Sequence, residues 1–154
     1  VLAIAIAAMM GPGLNNAVLA IAVVYIPLFC RVARGPVIAE RAKEHVAAAI
    51  ALGGGPLRLI FRHVLPNVLA PLIVQASVSL AFAILIEASL SYVGLGTQPP
   101  DPSWGTMLNE GRTYLETAPW MSIFPGLAIM MAVLGFNLLG DGLRDVLDPQ
   151  LRGR

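Results

Sequence analysis

Glu87 is the only acidic residue in the apolar run "NVLAPLIVQASVSLAFAILIEASLSYV". An ionisable group in hydrocarbon is costly unless it faces protein or water, so a carboxylate here either accepts hydrogen bonds within a helix bundle or lines a solute path. The first reading is preferred and the second kept beside it. Two imidazoles, His45 and His63, raise the question of a metal. Neither has a cluster of carboxylate or thiol partners, and a zinc or nickel site needs further ligands at matching geometry, so no metal site is expected. His63 is expected on the polar side of its helix. Cys30 is the single cysteine, which excludes an internal disulfide or a thiolate cage. The segment "GGGP", Gly53 to Pro56, lacks the lysine and hydroxyl of a phosphate loop, so nothing here is built to bind ATP. No constellation of catalytic residues emerges, and no catalytic residue is assigned.

The elements that would position these groups follow from composition. Of the 154 residues, 57% are hydrophobic and 12% charged, with mean hydropathy +0.77. A soluble domain carries about 25% charged residues, so the chain reads as an all-α polytopic membrane protein with no affinity for nucleic acid. A helix needs about 20 apolar residues to cross a bilayer. Residues 67–93 and 120–140 meet that length. Residues 16–33 reach across if Arg31 snorkels, with a kink expected at Pro27. Residues 1–10 amount to a partial span, ended by the turn-forming Gly11-Pro12-Gly13, and read as the remainder of a helix truncated at its N-terminus. Gln75, Ser77, Ser79 and Asn137 are expected to make interhelical hydrogen bonds.

Of the ten lysines and arginines, only Arg112 lies between the second and third full spans. The others fall in residues 31–62 or follow the last span, at Arg144, Arg152 and Arg154. The positive-inside bias therefore places the loop 34–66 and the tail 141–154 in the cytoplasm, and residues 11–15 and 94–119 outside. The outer loop is rich in turn signals, and "SWGTMLNEGRTYLE" reads as a short interfacial helix, with Trp104 and Trp120 as anchors.

The cytoplasmic loop reads as two helices around a glycine corner. Residues 40–52 are helix-forming, Gly53 suits the left-handed residue that closes a helix, and Pro56 suits the first turn of the next. Leu57, Ile60, Phe61, Val64 and Leu65 recur at helical spacing as one apolar stripe, and Pro66 is expected to end the helix before the next span. Such a hairpin can grip another protein, or rest on the bilayer with its arginines on lipid phosphates. The residues alone favour neither.

"AAAIALGGGPLRLIFRHVLPN" resembles the cytoplasmic E-A-A loop of permease subunits of binding-protein-dependent ABC importers. "LIEASLSYVGLGTQPPDPSWGTMLNEGRTYL" and "PWMSIFPGLAIMMAVLGFNLLGDGLRDVLDPQLR" extend the likeness to the second permease of the dipeptide/oligopeptide/nickel group. The resemblance implies a type I importer permease fold in the bacterial inner membrane, with no cofactor in this chain. It also implies a second permease, ATP-binding subunits and an extracytoplasmic solute-binding protein as partners. The loop would couple the spans to the ATPase. The family's alanines fall on Ala48 and Ala49, its glycine on Gly53 and its Leu-Pro on Leu65 and Pro66, while its glutamate position holds Ala47. Glu40 and Glu44 are nearby acids without the family's spacing. The solute implied is a peptide or related small molecule, a nickel chelate included. The alternative readings are a fragment of an ion-driven secondary transporter and a membrane scaffold with a cytoplasmic interaction hairpin. Association with an ATPase separates the first reading from both.

Overall fold

A computed structural model describes residues 2–147, whose regular elements are all helices, with no strand among them. The helices are α1 (Leu2–Met10), α2 (Leu14–Arg41), α3 (Glu44–Ala51), α4 (Pro56–Arg58), a π-helical stretch (Leu59–Val64), α5 (Leu65–Tyr92), α6 (Trp104–Arg112) and α7 (Trp120–Leu147). The tail positions Arg152 and Arg154 lie outside the described residues. Three continuous helices, Leu14–Arg41, Pro56–Tyr92 and Trp120–Leu147, are long and apolar enough to cross a membrane. In the most apolar window of each, only 17% of residues are buried within the chain, so most of the apolar surface is available to lipid or other helices.

The chain forms two compact units, whose boundaries fall within α2, α5 and α7. One comprises the residues up to Ile26 together with Val78–Leu138. Its core is built on small side chains: Ala7, Ala17 and Ala20 are completely buried with Ile21 and Leu90. Alanine lets the backbones of α1, α2 and α5 approach closely, which is how helices associate where lipid supplies no hydrophobic drive. The corner between α1 and α2 uses positive φ at Gly11 and Gly13. The Asn16 side-chain amide donates to the Met10 and Gly11 carbonyls at 2.9 and 3.1 Å, satisfying groups that the end of α1 leaves open.

The second unit comprises Pro27–Ser77 with the chain from Leu139. Here the structure corrects two expectations. The helix read over residues 40–52 is divided: α2 runs to Arg41, and α3 starts only at Glu44. Lys43, its N-cap, is extended and has no side-chain acceptor to cap with. Pro66 does not end its helix either. The π-helical turns before it widen the coil, with the Leu65 N–H reaching the Ile60 carbonyl. A wider turn relieves the clash of a proline ring with the carbonyl four residues back, so the chain enters α5 without a break. The Asn67 side chain donates to the His63 carbonyl at 2.8 Å across the same junction.

Ser77 also departs from the sequence reading. Its hydroxyl donates to the Ile73 carbonyl at 3.2 Å, one turn back along its own helix. A short hydroxyl finds that acceptor without leaving its helix.

Candidate functional site

The hairpin of the second unit is closed by a Schellman motif. The Gly53 N–H bonds the Ile50 carbonyl at 2.9 Å and the Gly54 N–H bonds the Ala49 carbonyl at 3.0 Å. Gly53 sits at φ +78°, as its place after the helix requires. Gly54 is needed for a different reason: a Cβ there would lie 2.6 Å from the Ala49 carbonyl oxygen. The second helix then starts on Pro56, whose missing N–H costs nothing at a first turn.

Val46, 1% exposed, anchors α3 in its unit, and Ala49 is half-buried. Ala47, Ala48, Glu44 and Ile50 are exposed. Beyond the corner Val64 is buried and Leu65 half-buried, while Leu57, Ile60 and Phe61 are exposed and Pro66 is too. The expected five-residue apolar stripe is therefore divided, because the π-helical turns shift the register between Ile60 and Val64. The hairpin shows outward an apolar surface of Ile50, Leu52, Leu57, Ile60 and Phe61, with the exposed Arg58 and Arg62 on the same segment.

The same unit holds a polar cluster that sequence reading missed. Glu40, at the end of α2, is 5% exposed and pairs through Oε2 with Lys43 Nζ at 2.6 Å. His45 Nε2 stands 3.3 Å from Oε1, within ion-pair reach, but its alignment is not that of a hydrogen bond, and Oε1 is left without a donor. The His45 ring lies against that of His63, centroids 6.3 Å apart. His63 is half-buried and faces this polar group of side chains. Of the two acids noted near the vacant glutamate position, Glu40 is committed to this internal cluster and Glu44 is open to solvent. The spacing Glu40, Lys43 was the signal available; the burial was not.

In the first unit, Glu87 is half-buried near the end of α5. Its Oε1 accepts from the Ser91 hydroxyl at 2.6 Å and the Thr97 hydroxyl at 3.3 Å. The Ser91 oxygen in turn accepts the Thr97 N–H at 2.9 Å. Ser91 is one helical turn from Glu87 and could have been found by its spacing. Thr97 arrives through the turn at Gly94, φ +87°, which brings the loop back over the helix end. Glu87 also borders a cavity of about 370 Å³ shared with Leu14, Thr97, Pro102, Trp104 and Met107.

The loop is held there by α6, the short helix expected from the sequence. Ser103 and Thr106 form a capping box at its start, and the Asn109 side chain donates to the Tyr92 carbonyl. Gly105 rests on α5: a Cβ at that position would meet the Ala88 carbonyl oxygen and lie 2.8 Å from Ser91 Cβ. At its other end Gly111 passes the start of α7, where a Cβ would lie 2.6 Å from Ser122 Oγ. Ala47, Ala48, Ala49, Gly53, Leu65 and Pro66 are thus gathered along one hairpin in one unit, and Glu87 belongs to a separate network in the other.

A family model described as the binding-protein-dependent transport system inner membrane component matches residues 1–153. The dipeptide transport system permease protein DppC of Alkalihalophilus pseudofirmus is 52% identical over 151 residues, covering 98% of this chain and 50% of that protein. The di/tripeptide transport system permease protein DppC of Pseudomonas aeruginosa is 53% identical, and the dipeptide permease DppC of Escherichia coli K12 47% identical, each over 151 residues, with the same coverage of both chains. The chain spans about half the length of the curated relatives it matches.

Proposed function

The chain belongs to the family of binding-protein-dependent transport system inner membrane components, and from that premise we propose that it is part of a transmembrane permease subunit of an ATP-driven importer of short peptides. The observation that carries this reading is the identity of about half its residues, over 98% of its length, with proteins named as dipeptide permeases. A related small solute such as a nickel chelate remains within the same proposal. In this reading α2, the helix Pro56–Tyr92 and α7 span the inner membrane. The hairpin and the tail from residue 141 face the cytoplasm, which the distribution of basic residues supports.

The hairpin then serves as the coupling element. A partner can bias a transporter between two packings only by binding one of them better, and the bias must pass through something stiff. Here the element is an α3 anchored by Val46, a corner closed by two backbone hydrogen bonds, and a second helix continuous with a membrane-length one. Ala47, Ala48 and Ala49, Gly53, and Leu65 with Pro66 form the coupling loop, whose exposed apolar surface meets an ATP-binding subunit. The nucleotide chemistry belongs to that subunit, since this chain has no phosphate loop. A second permease subunit and an extracytoplasmic solute-binding protein complete the assembly, and Glu87 lies on the solute path.

The test is purification of the native-locus protein through a C-terminal tag in gentle detergent, with mass spectrometry of every component. Co-purification of a second permease and an ATP-binding subunit is expected. A complex without any ATP-binding subunit would overturn the proposal.

A further inference from the structure

The Glu87 network leaves one half of a carboxylate unused. Oε1 accepts two hydroxyl donors, and both donors are dug in, Ser91 at 1% and Thr97 at 3% exposure. They hold the carboxylate plane in place. Among the described residues no donor reaches Oε2, and the side chain borders the cavity of about 370 Å³. None of the residues lining that cavity is basic, so the carboxylate meets no opposite charge across it. Leu14, Met107 and Pro102 make an apolar wall, and Trp104 brings an aromatic ring to the same space.

We propose that this cavity binds a primary ammonium group, and that its ligand is the N-terminal ammonium of a short peptide. The choice of peptide rests on the proposed function; the choice of ammonium rests on the site. Low-dielectric walls beside a lone carboxylate focus its field and raise the local concentration of a cation. An indole ring adds to that attraction when a cation lies against its face. A bare metal cation is a poor fit, since hard cations take six or more oxygen ligands and this site offers one free carboxylate oxygen beside hydroxyls already engaged. The volume is that of a pocket for a small organic ligand. An ammonium group, with three donors and an organic body behind it, matches both the polar and the apolar parts of the wall.

The site can be probed by charge. In the full importer complex with Cys30→Ser and other reactive cysteines replaced, Met107→Cys places a thiol on the cavity wall. A cationic methanethiosulfonate is expected to label it about tenfold faster than an anionic one, the attraction a cleft of one sign exerts on counter-ions. Glu87→Gln keeps an oxygen to accept from Ser91 and Thr97 but removes the charge, and should bring the two rates together. Glu87→Asp, which keeps the charge, should preserve the preference and guards against a folding defect. A free-amine dipeptide should slow labelling, and its N-acetyl counterpart should not. Equal rates in the parent complex, a preference that survives Glu87→Gln, or equal protection by both peptides would each overturn the site. Failure of the importer reading looks different: the parent complex would then lack an ATP-binding subunit and take up no dipeptide, whatever the labelling rates.

Discussion

Replacing Gly105 by alanine tests whether α6 is seated on α5 by backbone contact. The added methyl would lie 2.8 Å from Ser91 Cβ and 2.9 Å from the Ala88 carbonyl carbon, and closer still to the carbonyl oxygen. Carbon atoms rest at about 3.5–4.0 Å, so α6 must lift by roughly 0.7 Å or more to clear Ser91 alone. The carbonyl cannot turn aside, because it belongs to the helical backbone of α5. Overpacking of this kind costs about 1–3 kcal/mol. Against it stands the better helix propensity of alanine, about 0.8–1.0 kcal/mol over glycine. Lifting α6 would also strain the Asn109 bond to the Tyr92 carbonyl and the loop that carries Thr97. A net loss of up to about 2 kcal/mol is expected, or a fall in Tm of up to about 8 °C. Gly142→Ala is the control. It lies within α7 with nothing inside 4 Å of the added Cβ, so propensity acts alone and Tm should rise. The assay is thermal unfolding of the detergent-solubilised full-length protein, followed by intrinsic fluorescence. A Gly105→Ala protein as stable as Gly142→Ala would refute the close approach of α6 to α5.

Other perturbations give distinct outcomes. Lys43→Ala strips the partner from a carboxylate that is only 6% exposed, and should destabilise by about 1–2 kcal/mol, less than for a fully buried pair because Lys43 is itself half in solvent. Glu40→Leu removes the buried charge together with its unsatisfied oxygen and should be neutral or stabilising; denaturation of the two variants side by side reads the difference. Ser122→Ala deletes a buried hydroxyl without a partner and should stabilise by up to about 1 kcal/mol, measured as a rise in Tm. Phe61→Asp alters a side chain 65% exposed, so stability should change by no more than about 0.5 kcal/mol. Recovery of the ATP-binding subunit on the tagged protein should nevertheless fall on the order of tenfold, as for an aromatic anchor at an interface.

The sequence by itself determined what depends on near neighbours. Helices long enough to cross a bilayer were legible at residues 67–93 and 120–140, because hydrophobicity summed over a window needs no knowledge of contacts. The corner at Gly53 and the restart at Pro56 were legible because a positive φ and a missing N–H act within one or two residues. Glu87 was legible as a group needing partners, since a charge in an apolar run demands them. Only the tertiary structure decided which partners it has: Thr97 reaches it through a loop held by α6, and that packing depends on Gly105, far away in sequence. The same holds for Glu40, noted in the sequence only as an acid near the vacant glutamate position: its burial beside Lys43 and His45 appears only in the fold. Pro66 was misread for a physical reason: the reading assumed an α-helical period, and the π-helical turns at Leu59–Val64 change it, carrying the chain through the proline. Local propensity sets where a helix can form. The register in which it continues, and the side it buries, are settled by packing against elements that the local sequence does not contain.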